Sequence, residues 1–208
     1  MNTDYEHEIR AEGFNLIIGV DEAGRGPLAG PVVASAVALK SDEFQSKIRD
    51  SKTLSARQRE EAFYEIYEKA YVGVGIVSES VIDRGNILEA TFLAMTNAVE
   101  NAIAQFAAVE DGGNAFQQNV CLLIDGNLFR SDLPYAYRTI VQGDNIVLSI
   151  ACASIIAKVT RDRILNVYDA IYPQYGFKRH KGYPTPQHKE AISAHGLSLI
   201  HRRSYKHS

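Results

Sequence analysis

The sequence predicts an α/β domain in which helices pack on a mixed β-sheet. Short apolar runs that read as strands come first, and strands then alternate with long helical patterns. The length of 208 residues, with 46% hydrophobic and 23% charged side chains, suffices for one sizeable core.

The elements follow in order. Residues 14–20 are a short apolar run, as expected of a strand buried on both faces. Residues 31–39, rich in valine and alanine, read as a second strand. The Gly/Pro turn between them is short, so the two pair antiparallel. Asp50-Ser51-Lys52-Thr53-Leu54 is a loop. Ser55 caps a helix running through residue 70, and Gln58 completes a capping box. Residues 71–77 alternate with glycines as a strand, and residues 87–106 form a long amphipathic helix. Residues 109–119 read as a surface loop. Residues 120–124 form an apolar strand ending at Asp125-Gly126-Asn127, and residues 139–142 a further strand ending at Gly143-Asp144. The pattern is helical from Ile146 to about Tyr168. Pro173, Gly176, Gly182, Pro184 and Pro186 then break it, leaving a short helix over 186–194.

Charge divides the chain. Residues 1–157 hold 12 Lys+Arg against 22 Asp+Glu, a net of −10; residues 158–208 hold 10 against 3, a net of +7. An acidic region that collects cations beside a basic region that holds a polyanion is one reading; a solvated basic tail is the other. Cys121 and Cys152 lie in apolar surroundings without metal spacing and read as reduced core residues, which places the chain in the cytoplasm. No apolar run approaches a membrane span, and residues 1–13 are a polar tail unlike a signal peptide. With no sustained heptad or spare apolar face, the chain is expected to be a monomer.

Acids stand at three strand or loop ends: Asp21-Glu22, Asp125 and Asp144, each at a glycine-bearing turn. Strand carboxyl ends are where sites of α/β sheets collect. Buried carboxylates without partners cost several kcal/mol or more, and a divalent cation removes that cost. Oxygen ligands without thiol or histidine companions favour Mg²⁺ or Mn²⁺ over zinc. Asp21 and Glu22 can share an ion only if the strand bends, which Ala23-Gly24 permits. Taken singly, Asp125 and Asp144 also read as an ordinary turn and cap.

Gly19-Val20-Asp21-Glu22-Ala23-Gly24-Arg25-Gly26-Pro27-Leu28-Ala29-Gly30-Pro31 closely resembles the opening signature of bacterial ribonuclease HII. So do Asp50-Ser51-Lys52, Ile124-Asp125-Gly126-Asn127, Gly143-Asp144, the stretch 149–162, and His180-Lys181-Gly182-Tyr183-Pro184-Thr185. The resemblance implies a ribonuclease H-like core over 14–168 with a helical, basic C-terminal extension over 169–208. It implies endonucleolytic cutting of the RNA strand of RNA–DNA hybrids, and of duplex DNA containing ribonucleotides 5′ to the ribonucleotide. Asp21, Glu22, Asp125 and Asp144 become the catalytic, metal-binding carboxylates. Gly24-Arg25-Gly26 becomes the loop that senses the ribose 2′-hydroxyl, and Tyr183 the residue stacking on the following sugar.

Of the remaining polar residues, Lys52, His180 and Lys181 are candidate phosphate contacts, and Ser154 a candidate contact to the substrate backbone. Arg202 and Arg203 belong to the same basic region. Lys158 and Asp162 read as a helix pair. A DNA-cutting nuclease of the same fold would need no reader of the 2′-hydroxyl. A nucleotide-binding module would need the P-loop Lys-Ser/Thr that the glycine loop lacks.

Overall fold

The computed structural model describes residues 4–110 and 119–206. The predicted loop over 109–119 lies mostly outside them. Five strands form one sheet in the order β3-β2-β1-β4-β5. β1 (Leu16–Ala23), β2 (Val32–Leu39) and β3 (Ala70–Val77) make an antiparallel meander, while β4 (Val120–Asp125) and β5 (Ala136–Ile140) run parallel to β1. The sheet is therefore mixed and covered by helices, the architecture expected from the pattern.

One face packs on the long helix α4 (Ile87–Glu110), preceded by short α3 (Glu79–Arg84). Val20, Val32, Ala34 and Ala36 meet Met95, Ala98 and Val99 there. Gly73 and Gly75 on β3 leave room for the α4 backbone: a β-carbon at either would collide with the carbonyl of Ala98 or Ala94. The other face carries α2 (Ala56–Lys69) and α6 (Leu148–Ile171), joined through Phe63, Ile66, Ile155 and Val159. Gly19 plays the corresponding part here, admitting the α6 backbone at Ser149 and Ile150. Ser55 and Gln58 close the expected capping box on α2.

Several boundaries differ from the sequence reading. The expected N-terminal tail contains α1 (Asp4–Ala11), with Ile9 buried. Glu6 accepts the N–H and hydroxyl of Ser149, capping α6 from a distant segment. β5 starts three residues early, at Ala136; its first four residues are exposed, so it lacks the apolar signature of a strand. Short α5 (Gly143–Ile146) precedes α6, with Val147 between them. α6 continues to Ile171, past the expected core boundary at 168.

Beyond it, α7 (Phe177–His180) and α8 (Pro186–His195) fold back onto the core. Tyr175, Phe177 and Ile200 pack with Ala29 and Leu165. Backbone bonds Leu28 N–H to Gly182 O and Arg202 N–H to Leu28 O, both 2.8 Å, tie the turn after β1 to this region. Both cysteines are buried and free. Among the described residues no helix is long and apolar enough to cross a membrane.

Candidate functional site

The strand does not bend before its acids. β1 stays in register with β2 through Ala23, so Asp21 and Glu22 project to opposite faces of the sheet's end. Asp21 shares the α6 face with Gly19; it accepts the Glu22 N–H at 2.7 Å and a hydrogen bond from Ser154. Glu22 lies on the α4 face, where Arg25 Nη1 is 3.4 Å from its Oε1. In the parallel β1–β4 ladder Val20 pairs with Ile124, which brings Asp21 and Asp125 abreast as the next residues of each strand. Asp125 Oδ1 accepts the Gly143 N–H at 2.7 Å. That bond docks α5 on β4 and delivers Asp144, which is buried, to the same end of the sheet. Lys52 Nζ stands 3.8 Å from Asp144 Oδ2.

The electrostatics are those of crowded acids. Burial, then Glu22 and Asp125, push the Asp21 carboxyl well above its ordinary value. Glu22 is raised by burial and by Asp125, against the pull of Arg25. Asp144 is raised by burial, by Asp125 and by Asp50, with Lys52 opposing. Partial burial alone would lower Lys52; Asp50, Asp144, Asp21 and Asp125 outweigh it and raise the ammonium's pKa. Among the described residues no three His, Cys, Asp or Glu side chains stand close enough together to hold a metal ion as they are placed. The four carboxylates are hard oxygen donors whose mutual repulsion a divalent cation would relieve, and no thiol or imidazole stands among them. The donor set fits Mg²⁺ or Mn²⁺.

Asp50 is the acid that sequence reasoning left unassigned, although it sits two residues before Lys52 in the Asp50-Ser51-Lys52 stretch. Its carboxyl lies close enough to Asp144 to help raise that group, while its Oδ1 accepts the Lys52 N–H at 2.9 Å. Ser51 joins it: its hydroxyl lies 2.9 Å from that of Ser154, within a buried relay to Asp21. Ser154 is itself buried, 3% exposed, so its hydroxyl serves Asp21 and Ser51 rather than the surface.

The turn after β1 holds Gly24, Arg25 and Gly26. The Arg25 side chain is 52% exposed and Tyr183 is exposed, with Tyr183 Cε1 only 3.7 Å from where a Gly26 β-carbon would be. These residues form one surface beside Glu22. His180 lies elsewhere: it is buried, its Nε2 bonded to Tyr175 O at 2.8 Å and its Nδ1 accepting the Gly182 N–H at 3.2 Å. It shapes the turn leading to Tyr183. Lys181 Nζ is bonded to Asn166 at 2.5 Å, and the charges acting on it are Asp162, Lys158, Asp169 and Lys178, not the four carboxylates. Lys158 and Asp162 do pair, at 2.7 Å. Arg202 is fully buried, its guanidinium bonded to carbonyls.

The family model and the curated sequences agree on one family. The family model described as Ribonuclease HII matches residues 18–208. Ribonuclease HII of Ruminiclostridium cellulolyticum is 50% identical over 97% of this chain and 74% of its own length. That of Chlorobaculum parvum is 47% identical over 99% and 96%. Among solved structures, the PCNA:RNase HII complex from Archaeoglobus fulgidus superimposes with TM-score 0.68 at 23% identity, covering 92% of this chain and 95% of that one. Bst-RNase HIII in complex with Mn²⁺ gives 0.65 at 18% identity, covering 92% and 67%. At these identities the structures establish the shared fold.

Proposed function

This chain belongs to the ribonuclease HII family and is a metal-dependent endoribonuclease of the ribonuclease H type; we propose that it incises RNA–DNA hybrids, and duplex DNA 5′ to an embedded ribonucleotide, leaving 3′-hydroxyl and 5′-phosphate ends. The observation that supports this reading is that Asp21, Asp125 and Asp144 gather at the carboxyl ends of β1 and β4, with Glu22 on the opposite face of β1 but close enough to Asp125 to feel its charge, beside the Gly24-Arg25-Gly26 turn and Tyr183. Divalent cations, Mn²⁺ or Mg²⁺, held by those four carboxylates would activate the attacking water and neutralise charge on the departing oxygen.

The chain's own residues supply the rest. Ser154, backed by Ser51, holds Asp21 in place. Arg25, loosely paired with Glu22 and exposed, is free to turn to a phosphate. Lys52, 79% exposed, offers a second cation on the Asp144 side. Distinguishing RNA from DNA requires reading the 2′-hydroxyl, which donates and accepts hydrogen bonds. Backbone groups at Gly24 and Gly26 can reach it where a side chain would intervene. The Tyr183 ring beside Gly26 would stack on the next sugar and reject a second 2′-hydroxyl, favouring an RNA-to-DNA junction. His180 we assign to holding that turn rather than to a phosphate. We take the working unit as a monomer.

The test is a Mn²⁺-containing digest of a duplex with one ribonucleotide, run beside an all-DNA duplex of the same sequence. Incision only in the first, immediately 5′ to the ribonucleotide, is the expected result; equal cutting of both overturns the reading. Tyr183→Ala should erase the preference for junctions over continuous hybrid, and an unchanged preference would remove Tyr183 from the scheme.

A further inference from the structure

Two buried arginines have no part in the scheme above, and both close on the turn after β1. Arg202, 0% exposed, donates from Nη2 to Gly24 O at 2.6 Å and from Nη1 to Arg25 O at 3.0 Å. Its Nε and Nη2 also hold Gly30 O, at 3.0 and 2.8 Å. Arg161, 1% exposed, bonds Pro31 O, Ala29 O and Lys181 O, each at 3.0 Å. Tyr205 assists, its hydroxyl donating to Arg25 O at 2.8 Å and accepting from Arg202 Nη1 at 3.2 Å. One guanidinium therefore spans the turn from Gly24 to Gly30, and the other fixes the end of that turn to the residue two before Tyr183.

Peptide planarity gives this consequence. No peptide bond among the described residues is cis. In a trans peptide the N–H points opposite to the preceding carbonyl. Holding the Gly24 and Arg25 carbonyls inward on Arg202 therefore turns the Arg25 and Gly26 N–H groups away from the guanidinium. Gly24 has φ +105°, and a β-carbon there would run into the Arg161 side chain. The glycine and the arginine thus fit each other. Burial and the nearby Arg202 lower Arg161 to about 10, so it still carries its charge at neutral pH.

We infer that Arg202, with Tyr205 and Arg161, is a positioning residue that fixes the peptide planes of Gly24-Arg25-Gly26 in the orientation needed to read the ribose. The inference rests on that loop being the ribose sensor. A lysine cannot replace it, because a single ammonium lacks the planar fork that reaches three separate carbonyls. The role is geometric, so its loss falls on kcat rather than on KM. A displacement near 1 Å in a reacting constellation costs on the order of 10²-fold in rate.

The experiment measures kcat and KM of wild type, Arg202→Lys and Tyr205→Phe on the single-ribonucleotide duplex, with thermal unfolding of each protein. For Arg202→Lys, kcat should drop about 100-fold with KM within about twofold. Tyr205→Phe removes two hydrogen bonds at the rim, the one donated to Arg25 O and the one accepted from Arg202 Nη1, and leaves the buried arginine in place, and its kcat should drop about fivefold. Folded variants whose kcat equals that of wild type, or whose loss lies wholly in KM, overturn the inference. If Arg202→Lys does not fold, Tyr205→Phe decides, and an unchanged kcat there overturns it. A wild type that cuts all-DNA duplex equally well removes the sensor itself, a failure distinct from a selective wild type with indifferent variants.

Discussion

Asp21 shows what a single residue costs this fold. It is 5% exposed, close to Glu22 and Asp125, and supported by Ser154 and one backbone N–H. Its carboxyl is pushed up, so ionising it at neutral pH works against folding. The sign follows: a carboxyl with a raised folded pKa destabilises above its unfolded value, and the penalty disappears as pH falls below that value. Asp21→Asn keeps the shape and removes the charge. In chelator at pH 7 it should gain about 1–2 kcal/mol, or roughly 3–6 °C in Tm, while losing cleavage. A Tm equal to or below that of wild type would mean Asp21 carries no electrostatic strain. The Asp-Glu pair was plain in the sequence because an apolar run leads straight into it. Its division between two sheet faces was not, because that depends on whether β1 keeps pairing with β2 past Val20. Asp50 was hidden for another reason: a loop acid carries no periodicity, and only the fold brings it to Asp144.

At the scale of elements, patterns that reflect local physics survived, and those that need tertiary contact did not. The capping box at Ser55 and Gln58 depends on four neighbouring residues, so it reads directly. The glycines of β3 were visible as alternation, but their purpose, the approach of the α4 backbone, is a tertiary fact. β5 escaped at its start because an exposed edge strand shows no hydrophobic period. α1 escaped because its anchors, Ile9 and Glu6, act on distant partners. Glu65 on α2 ties down the preceding loop, accepting the N–H groups of Gln45 and Ser46 at 2.7 Å and Lys69 Nζ at 3.0 Å. Burial opposes its charge, but these bonds prevail and hold the carboxyl at about 2. A lowered folded pKa gives stability that is present above the unfolded value near 4.5 and is lost as pH falls through about 2. Glu65→Gln should therefore cost about 1–2 kcal/mol at pH 7. Urea unfolding across pH should show that deficit shrinking between those two values. A deficit that stays constant down to pH 2 would contradict the assignment.

For the whole molecule, the opposed charges of the two segments do not mark two bodies. The basic segment closes over the sheet's edge through Tyr175, Phe177 and Ile200 against Ala29 and Leu165. Two of its cations, Arg161 and Arg202, are interior braces, so the sequence count overstates the charge facing a polyanion. Composition cannot distinguish a buried guanidinium from an exposed one; both are simply arginine. What composition did convey is the polarity: acids gather at the carboxyl ends of β1 and β4, with the glycine turn and Tyr183 alongside. The most direct measurement is cleavage of a single-ribonucleotide duplex by wild type and by Asp21→Asn, Glu22→Gln, Asp125→Asn and Asp144→Asn, in chelator and across a Mn²⁺ titration. Cleavage should be absent in chelator and restored by Mn²⁺ in wild type, and should fall at least about 10³-fold in each variant while duplex binding persists. Wild-type cutting in chelator, or Asp125→Asn cutting at the wild-type rate, would contradict a cation site built from these four carboxylates.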